Sequence, residues 1–341
     1  MLLPENILVP FFFKLNEKIS ILQNLKNNKP RTDILLVGQG WFAKGFMEHI
    51  DKNKFKITNI YRNEFINTPM LLQTVKPEYK GIFKLTKNTS NFTSLIDLKI
   101  KDEINKIDLS NNILYTKKCS YSWKNGYLVC GLGSNTDNGQ FWNLKIEELK
   151  KINVSQKICI VGAGPTGTEL AFHLKDLNHD ITLYDGLPDV YNYLTPYGKN
   201  LILNRLSSSN IKLFTNKIFS DHDKKLFDQV IFATGSRAND LTSKFEINDQ
   251  LNVINYTNIY VGGDGIYNKN LPRNAQVAYE QGKYIALKLN GVKVGDFKFK
   301  NKGIALYIGD KLYYTEILLF NKIYCIKIPD KIINIYYNLF K

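Results

Sequence analysis

The sequence predicts an α/β protein made of two parallel-sheet units, the second inserted into the first. Two observations carry that prediction. An apolar strand runs into a glycine turn and on into a helix twice, at Asp33-Ile-Leu-Leu-Val-Gly38-Gln-Gly40-Trp41-Phe-Ala43 and at Lys157-Ile-Cys-Ile-Val-Gly162-Ala-Gly164-Pro165-Thr166-Gly167-Thr-Glu169-Leu. Downstream of each, another strand delivers a second glycine turn, ending in Gly131-Leu-Gly133-Ser in the first case and Ala233-Thr-Gly235-Ser in the other. Strands alternating with helical stretches fit a parallel sheet with helices on its faces.

Both turns read G-x-G-x-x-G/A between a strand and a helix, the context in which that spacing binds a dinucleotide. The glycines permit a tight turn and close approach of a pyrophosphate. The helix that follows offers unpaired N–H groups and the positive end of its dipole to the phosphates. One such turn could be a structural glycine bend; two in the same context specify two Rossmann-like dinucleotide-binding domains.

The second unit continues into Asp180-Ile-Thr-Leu-Tyr-Asp185. Asp185 falls about 20 residues past the turn, where a carboxylate bonds a ribose 2′-hydroxyl and repels a 2′-phosphate, so NADH is expected over NADPH. The first unit continues into Phe55-Lys-Ile-Thr-Asn-Ile60, which no acid closes; Arg62 and Asn63 follow. A guanidinium there can pair with phosphate or stack on adenine, and a solvated loop arginine is the bland alternative. Later, Asn258-Ile-Tyr-Val-Gly-Gly-Asp264-Gly265 carries an aspartate into a glycine turn. Asp264 is placed either to bond a sugar-alcohol chain or to cap the next helix.

Together these residues resemble the two-dinucleotide flavoproteins, and in detail the type II NADH dehydrogenases. The matching segments are Gly38-Gln-Gly40-Trp41, Arg62-Asn63 with Thr68-Pro69, Gly162 to Leu170, and Pro272-Arg-Asn-Ala275-Gln276-Val-Ala-Tyr-Glu280-Gln-Gly282. Phe297 to Gly309 is similar to the strand that backs the flavin in that family. The resemblance runs from about residue 32 to the C-terminus. It implies FAD at Gly38, Gly40, Trp41, Ala43, Arg62, Asn63, Thr68, Pro69, Gly133, Asp264, Ala275 and Gln276. It implies NADH at Gly162, Gly164, Pro165, Thr166, Gly167, Asp185 and Gly235, with Glu169 beside the nicotinamide. Gln276 and Glu280 would border a quinone site, with Glu280 standing where the family has glutamine. The implied activity is hydride transfer from NADH to FAD and electron transfer to a quinone, without proton pumping. A soluble FAD-dependent NADH reductase with another acceptor, and a catalytically silent dinucleotide-binding module, are the alternatives.

The expected organisation is an N-terminal extension at 1–31, a first FAD-binding part at 32–152, an NAD-binding domain at 153–237, a second FAD-binding part at 238–296, and a C-terminal segment at 297–341. The N-terminal stretch with Phe11, Phe12 and Phe13 fits neither a signal peptide nor a transit sequence.

Four cysteines at 119, 130, 159 and 325 form no C-x-x-C pair, so structural zinc, a disulfide framework and a redox dithiol are not expected, and a reducing compartment is. No metal site is expected. The balance of 46 Lys+Arg against 31 Asp+Glu gives +15. That charge suits an anionic surface, and no nucleic-acid partner is expected; AT-rich coding would also produce it.

No apolar run reaches the roughly 18 residues of a spanning helix. After Pro329 and Asp330, however, Ile332, Ile333, Tyr336, Tyr337 and Phe340 recur at helical spacing, with Ile317 to Phe320 and Ile323-Tyr324 adding apolar surface upstream. The expectation is a C-terminal amphipathic segment lying on an anionic membrane surface, mitochondrial inner or cytoplasmic, as a peripheral attachment. Docking on the chain's own domain or on a second copy in a homodimer is the competing use of such a face.

Overall fold

The computed structural model describes residues 30–62, 95–134, 154–266, 271–319 and 322–329. Two parallel sheets dominate. The first contains β1 (Thr32–Val37), β2 (Phe55–Tyr61), β3 (Leu98–Lys101), β7 (Tyr127–Cys130) and β12 (Ile259–Val261) in the order β12-β7-β1-β2-β3. The second contains β8 (Lys157–Val161), β9 (Asp180–Tyr184), β10 (Lys212–Phe214) and β11 (Gln229–Phe232) in the order β10-β9-β8-β11. The chain completes the second sheet before β12 returns to the first, as the sequence predicts.

Alternation along β1 shows why the first sheet is apolar throughout. Ile34 and Leu36 face a core with helices α1 (Trp41–Met47) and α5 (Ala275–Leu289), while Leu35 and Val37 face the opposite core. A strand covered on both faces needs an unbroken apolar run. The second cover is a three-stranded antiparallel sheet, β4 (Ile104–Asp108), β5 (Ile113–Thr116) and β6 (Ser120–Ser122), which contributes Ile107 and Leu114 to that core. On the first face, α1 and α5 approach through glycine. A methyl built on Gly45 would lie 2.0 Å from the Tyr279 carbonyl oxygen, and one on Gly282 2.0 Å from that of Phe42.

The second sheet carries α2 (Pro165–Lys175) and α3 (Pro196–Ser208), with the short α4 (Asp221–Lys224) before β11. The C-terminal sheet, β13 (Gly303–Tyr307), β14 (Leu312–Leu319) and β15 (Lys322–Pro329), is antiparallel. Its Leu306, Tyr307, Tyr313, Tyr314 and Ile317 join the core of α2 and α3, so it packs on the second unit. Ile317, expected at the surface, is 7% exposed; Ile323 and Tyr324 on β15 are exposed as expected. Asn63, Thr68, Pro69, Phe320 and the helical pattern of 330–341 lie outside the described residues.

Candidate dinucleotide sites

Parallel strands end at one edge, and the predicted residues gather there. On the first sheet the edge holds Gly38 and Gly40 after β1, Gly131 and Gly133 after β7, and Gly263-Asp264 after β12. Gly38 has φ +90°, and a methyl on it would sit 2.2 Å from the Gly131 carbonyl oxygen. Only glycine allows both. Over Gly40 and Gly133, by contrast, a methyl would meet nothing within 4 Å, which leaves an open cradle above the turn.

The second sheet repeats the construction. Gly162 has φ +107° and would strike the Ala233 carbonyl oxygen at 2.4 Å, while the space over Gly164 and Gly235 is open. Gly167 is pressed on its own turn, a methyl there falling 1.9 Å from the Gly162 carbonyl oxygen. Pro165 opens α2, where a missing N–H costs nothing. The two helices behind these turns, α1 and α2, start at Gly40 and Gly164 with no side-chain cap, whereas Thr195, Ser220 and Asn274 cap α3, α4 and α5. Uncapped first-turn N–H groups are what a phosphate would take up.

Asp185 stands just past β9, beside the turn. Its Oδ2 accepts the Ala163 N–H at 2.8 Å and its Oδ1 that of Leu187 at 2.8 Å, so it braces the glycine turn. Glu169, one turn into α2, accepts the Tyr307 N–H at 3.0 Å. Burial pushes its carboxyl up to about 7, that hydrogen bond opposing the shift.

Asp264 does not cap α5, because Asn274 does so by accepting the Val277 N–H at 2.9 Å. Burial pushes the Asp264 carboxyl up, with Arg273 pulling it back. Arg273 also donates to the Ser236 carbonyl, tying the start of α5 to the return loop of the second unit. Along α5, the Gln276 amide donates to the Gly303 carbonyl at 2.9 Å, and Glu280 accepts from Lys302 Nζ at 2.7 Å. Ala275, the first residue of α5, is exposed. β13 therefore begins on α5 and ends on Glu169, and joins the two edges.

Arg62 takes the bland course: it is exposed and lies 3.8 Å from Glu103. Trp41 opens α1 with Lys44 Nζ 5.1 Å from its ring centroid.

Residues 32–282 match the family model of the pyridine nucleotide-disulphide oxidoreductases. The chain belongs to that family. It is 25% identical over 360 residues to a probable NADH dehydrogenase of Dictyostelium discoideum, covering 82% of this chain and 79% of the relative. It is 23% identical over 354 residues to a probable mitochondrial NADH-ubiquinone oxidoreductase of Schizosaccharomyces pombe, covering 78% of this chain but only 64% of that one. The fold is similar to a solved structure of NDH2 from Plasmodium falciparum in complex with NADH, with TM-score 0.72 at 17% identity over 92% of this chain and 95% of that one.

The pyridine nucleotide-disulphide oxidoreductase fold accounts for two dinucleotide cradles but not, here, for a disulphide. Cys119, Cys130, Cys159 and Cys325 are all free, and burial pushes the Cys130 and Cys159 thiols up to about 12, out of reach of thiolate chemistry. Among the described residues no cluster of side chains suits a metal ion. Orphaned polar groups at the first turn fit a bound group instead. Gln39 is 5% exposed with both amide atoms unpartnered among the described residues, and Asn59, which donates to the Gly38 carbonyl at 2.8 Å, has an Oδ1 unpartnered among them too. Such atoms are costly to leave unmatched. Sequence reasoning missed Gln281, whose Oε1 accepts the Gly263 N–H at 2.6 Å and fixes the turn bearing Asp264. It also missed Lys302, which no motif marks.

Proposed function

We propose that this chain is a FAD-dependent NADH:quinone oxidoreductase of the type II NADH dehydrogenase kind. The observation that carries the reading is the pair of open glycine cradles, each with an uncapped helix behind it, bridged by β13 from Gln276 to Glu169. When bound, the flavin supplies two-electron chemistry between a nicotinamide and an external acceptor.

The chain's own residues bind, orient and exclude water. Gly38, Gly40, Trp41 and Ala43 hold the FAD pyrophosphate, with Gly133 opposite; Asp264 takes the ribityl chain, and Ala275 and Gln276 the ring edge. Gly162, Gly164, Pro165, Thr166, Gly167 and Gly235 hold NADH, Asp185 its ribose, and Glu169 lies near the nicotinamide. Gln276 and Glu280 border the acceptor. The names of the Dictyostelium and Schizosaccharomyces relatives support NADH as donor, and the latter supports ubiquinone as acceptor.

Attachment is peripheral, to an anionic face of the mitochondrial inner membrane. The name of the Schizosaccharomyces pombe relative supports a mitochondrial place. On β15, Ile323 at 54%, Tyr324 at 43% and Ile326 at 45% exposure stand beside exposed Lys322 and Lys327, a suitable mixture for a headgroup region. No helix among the described residues is long and apolar enough to cross a membrane. A homodimer is the other use of that face.

The test is optical. The purified protein should be yellow, bleach with NADH in strong preference to NADPH, and regain colour when a quinone is added. A colourless protein that cannot be reconstituted with FAD ends the reading. Bleaching without reoxidation by quinone leaves a soluble reductase with another acceptor. Sedimentation with anionic liposomes, lost when exposed Ile323 and Ile326 are changed to Ser and residues 330–341 are removed while dye reduction persists, tests the attachment without touching the buried Ile317 and Ile328.

A further inference from the structure

The loop from β9 to α3, residues 186–195, is held at two points with an exposed aromatic between them. Tyr191 has φ +66°, in the left-handed region that a bulky residue adopts only when its surroundings compel it. Its hydroxyl is bonded at 3.0 Å to Thr168 Oγ1, which also bonds the Ala163 carbonyl at 3.1 Å, so the loop is fastened to the second glycine turn. Thr195 fastens the other end, donating from its N–H at 2.9 Å and its hydroxyl at 2.7 Å to Glu316 Oε1 on β14. Tyr193 stands between them, 41% exposed, its ring edge-on to Tyr191 at 6.2 Å. Strain of this kind, held by bonds on both sides, gathers at functional sites.

The place it occupies gives the strain a use. Burial of its hydroxyl end, with Tyr191, Glu169 and Glu316 adding to it, pushes the Tyr193 phenol above its ordinary value. Glu169 is bonded to the last residue of β13. Glu316 pairs with Ile304 at the start of β13, next to Gly303, which receives the Gln276 amide. The loop that carries Tyr193 is therefore tied at one end to Thr168, next to Glu169, and at the other to Glu316, which pairs with the start of β13, so it runs beside the strand that joins the cradles. A dinucleotide seated at Gly162 and Gly164 must bring its reacting ring to that junction to meet a flavin lodged against α5. A flat, partly open aromatic ring offers it a stacking face.

We propose that Tyr193 is a nicotinamide-contacting residue, its ring closing over the reacting end of bound NADH where the two units meet. The inference rests on the NADH and FAD reading above and extends it to a residue that no motif marks.

The test uses full-length, FAD-loaded protein carrying Tyr193→Ala or Tyr193→Phe. Tyr193→Ala should raise KM for NADH about tenfold, with a smaller change in kcat, because contact with the bound ring is lost. It should also weaken the long-wavelength charge-transfer absorption formed when NAD+ is added to the reduced enzyme. Tyr193→Phe, which keeps the ring, should restore both to within about threefold of the parent. If Tyr193→Ala leaves KM and the charge-transfer band unchanged, or lowers only the melting temperature, the ring serves packing and the inference is overturned. A parent whose flavin NADH does not reduce overturns the functional reading itself, and this inference with it.

Discussion

The two units make the same turn and finish it differently. Gly38 and Gly162 share a positive φ and the same collision with the returning strand, at 2.2 and 2.4 Å, and both are followed by an open glycine and an uncapped helix. Past that point they diverge. In the second unit the third position is Gly167, pressed on its own turn; in the first it is Ala43, whose methyl is fully buried in the core. The tight approach in the first unit has moved along the helix to Gly45, which faces α5. The third position is set by what its helix packs against, and the two helices pack against different things.

The largest effect should come from exchanging those two positions. Gly167→Ala places a methyl 1.9 Å from a carbonyl oxygen that cannot leave its turn. It should cost about 2–4 kcal/mol and abolish measurable NADH binding. Ala43→Gly should cost only about 1 kcal/mol, the loss of helix propensity and a buried methyl, and leave FAD content intact, because the residue serves the pyrophosphate through a backbone that glycine keeps. Thermal melts with flavin and NADH titrations separate the two, and equal losses would show that the two third positions are equivalent after all.

The acids divide the units next. Asp185 ends the second strand of its sheet, while the first unit has Tyr61-Arg62 at that point and draws Asp264 from a later strand. Asp264→Ala should lower FAD occupancy more than it lowers apoprotein stability. Asp185→Ala should narrow the NADH preference over NADPH about tenfold, and should also cost about 1–3 kcal/mol, because the Ala163 and Leu187 N–H groups lose their acceptor. An unchanged cofactor preference would reduce Asp185 to a brace of the turn.

How much of this was legible in the sequence follows from range. The turns, the strands that carry them and the inserted order depend on short spacings, and the structure keeps each within a residue or two. The antiparallel sheet at Ile104–Ser122 leaves no mark in the sequence, since short mixed strands carry little periodicity and owe their place to the sheet they cover. Contacts between distant segments were also invisible: Gln281 with Gly263, Lys302 with Glu280 and Thr195 with Glu316 join residues that no spacing relates. The family resemblance marks β13 only as a strand beside a flavin; that it holds Gln276 at one end while Leu306 and Tyr307 pack with α2 and α3 in the core of the second unit is visible only in three dimensions.

Glu169 sharpens the comparison through pH, since α1 presents no carboxylate at the matching place. Its carboxyl lies at about 7 in the fold, above the ordinary carboxylate value, so the folded protein holds a proton that the unfolded chain has released. Its contribution to stability is complete below the unfolded value and is lost as pH rises through about 7. Glu169→Gln should therefore flatten the decline in melting temperature between about pH 5 and pH 8. It should also remove any inflection near neutrality from the rate of flavin reduction. A variant with the parent's pH slope would place the titration elsewhere.

The smallest effect belongs to Glu280, where α5 meets β13. Its ion pair with Lys302, at 2.7 Å, is only half buried, with side-chain exposures of 24% and 33%. A pair so placed is worth about 0.2–1 kcal/mol, and salt screens it. Glu280→Gln keeps an acceptor for Lys302 and removes only the charge, so melting should shift by about a degree or two at low salt and less at high salt. Gln276→Ala is the stronger change at the same junction, because it also removes the amide that holds the Gly303 carbonyl. If Glu280 borders the acceptor, its substitution should alter KM for the quinone about two- to fivefold while KM for NADH stays fixed, since the charge beside a neutral ring is what changes. A shift in the NADH term instead would mean that Glu280 acts through β13 on Glu169, and would move it from the acceptor's side of the molecule to the donor's.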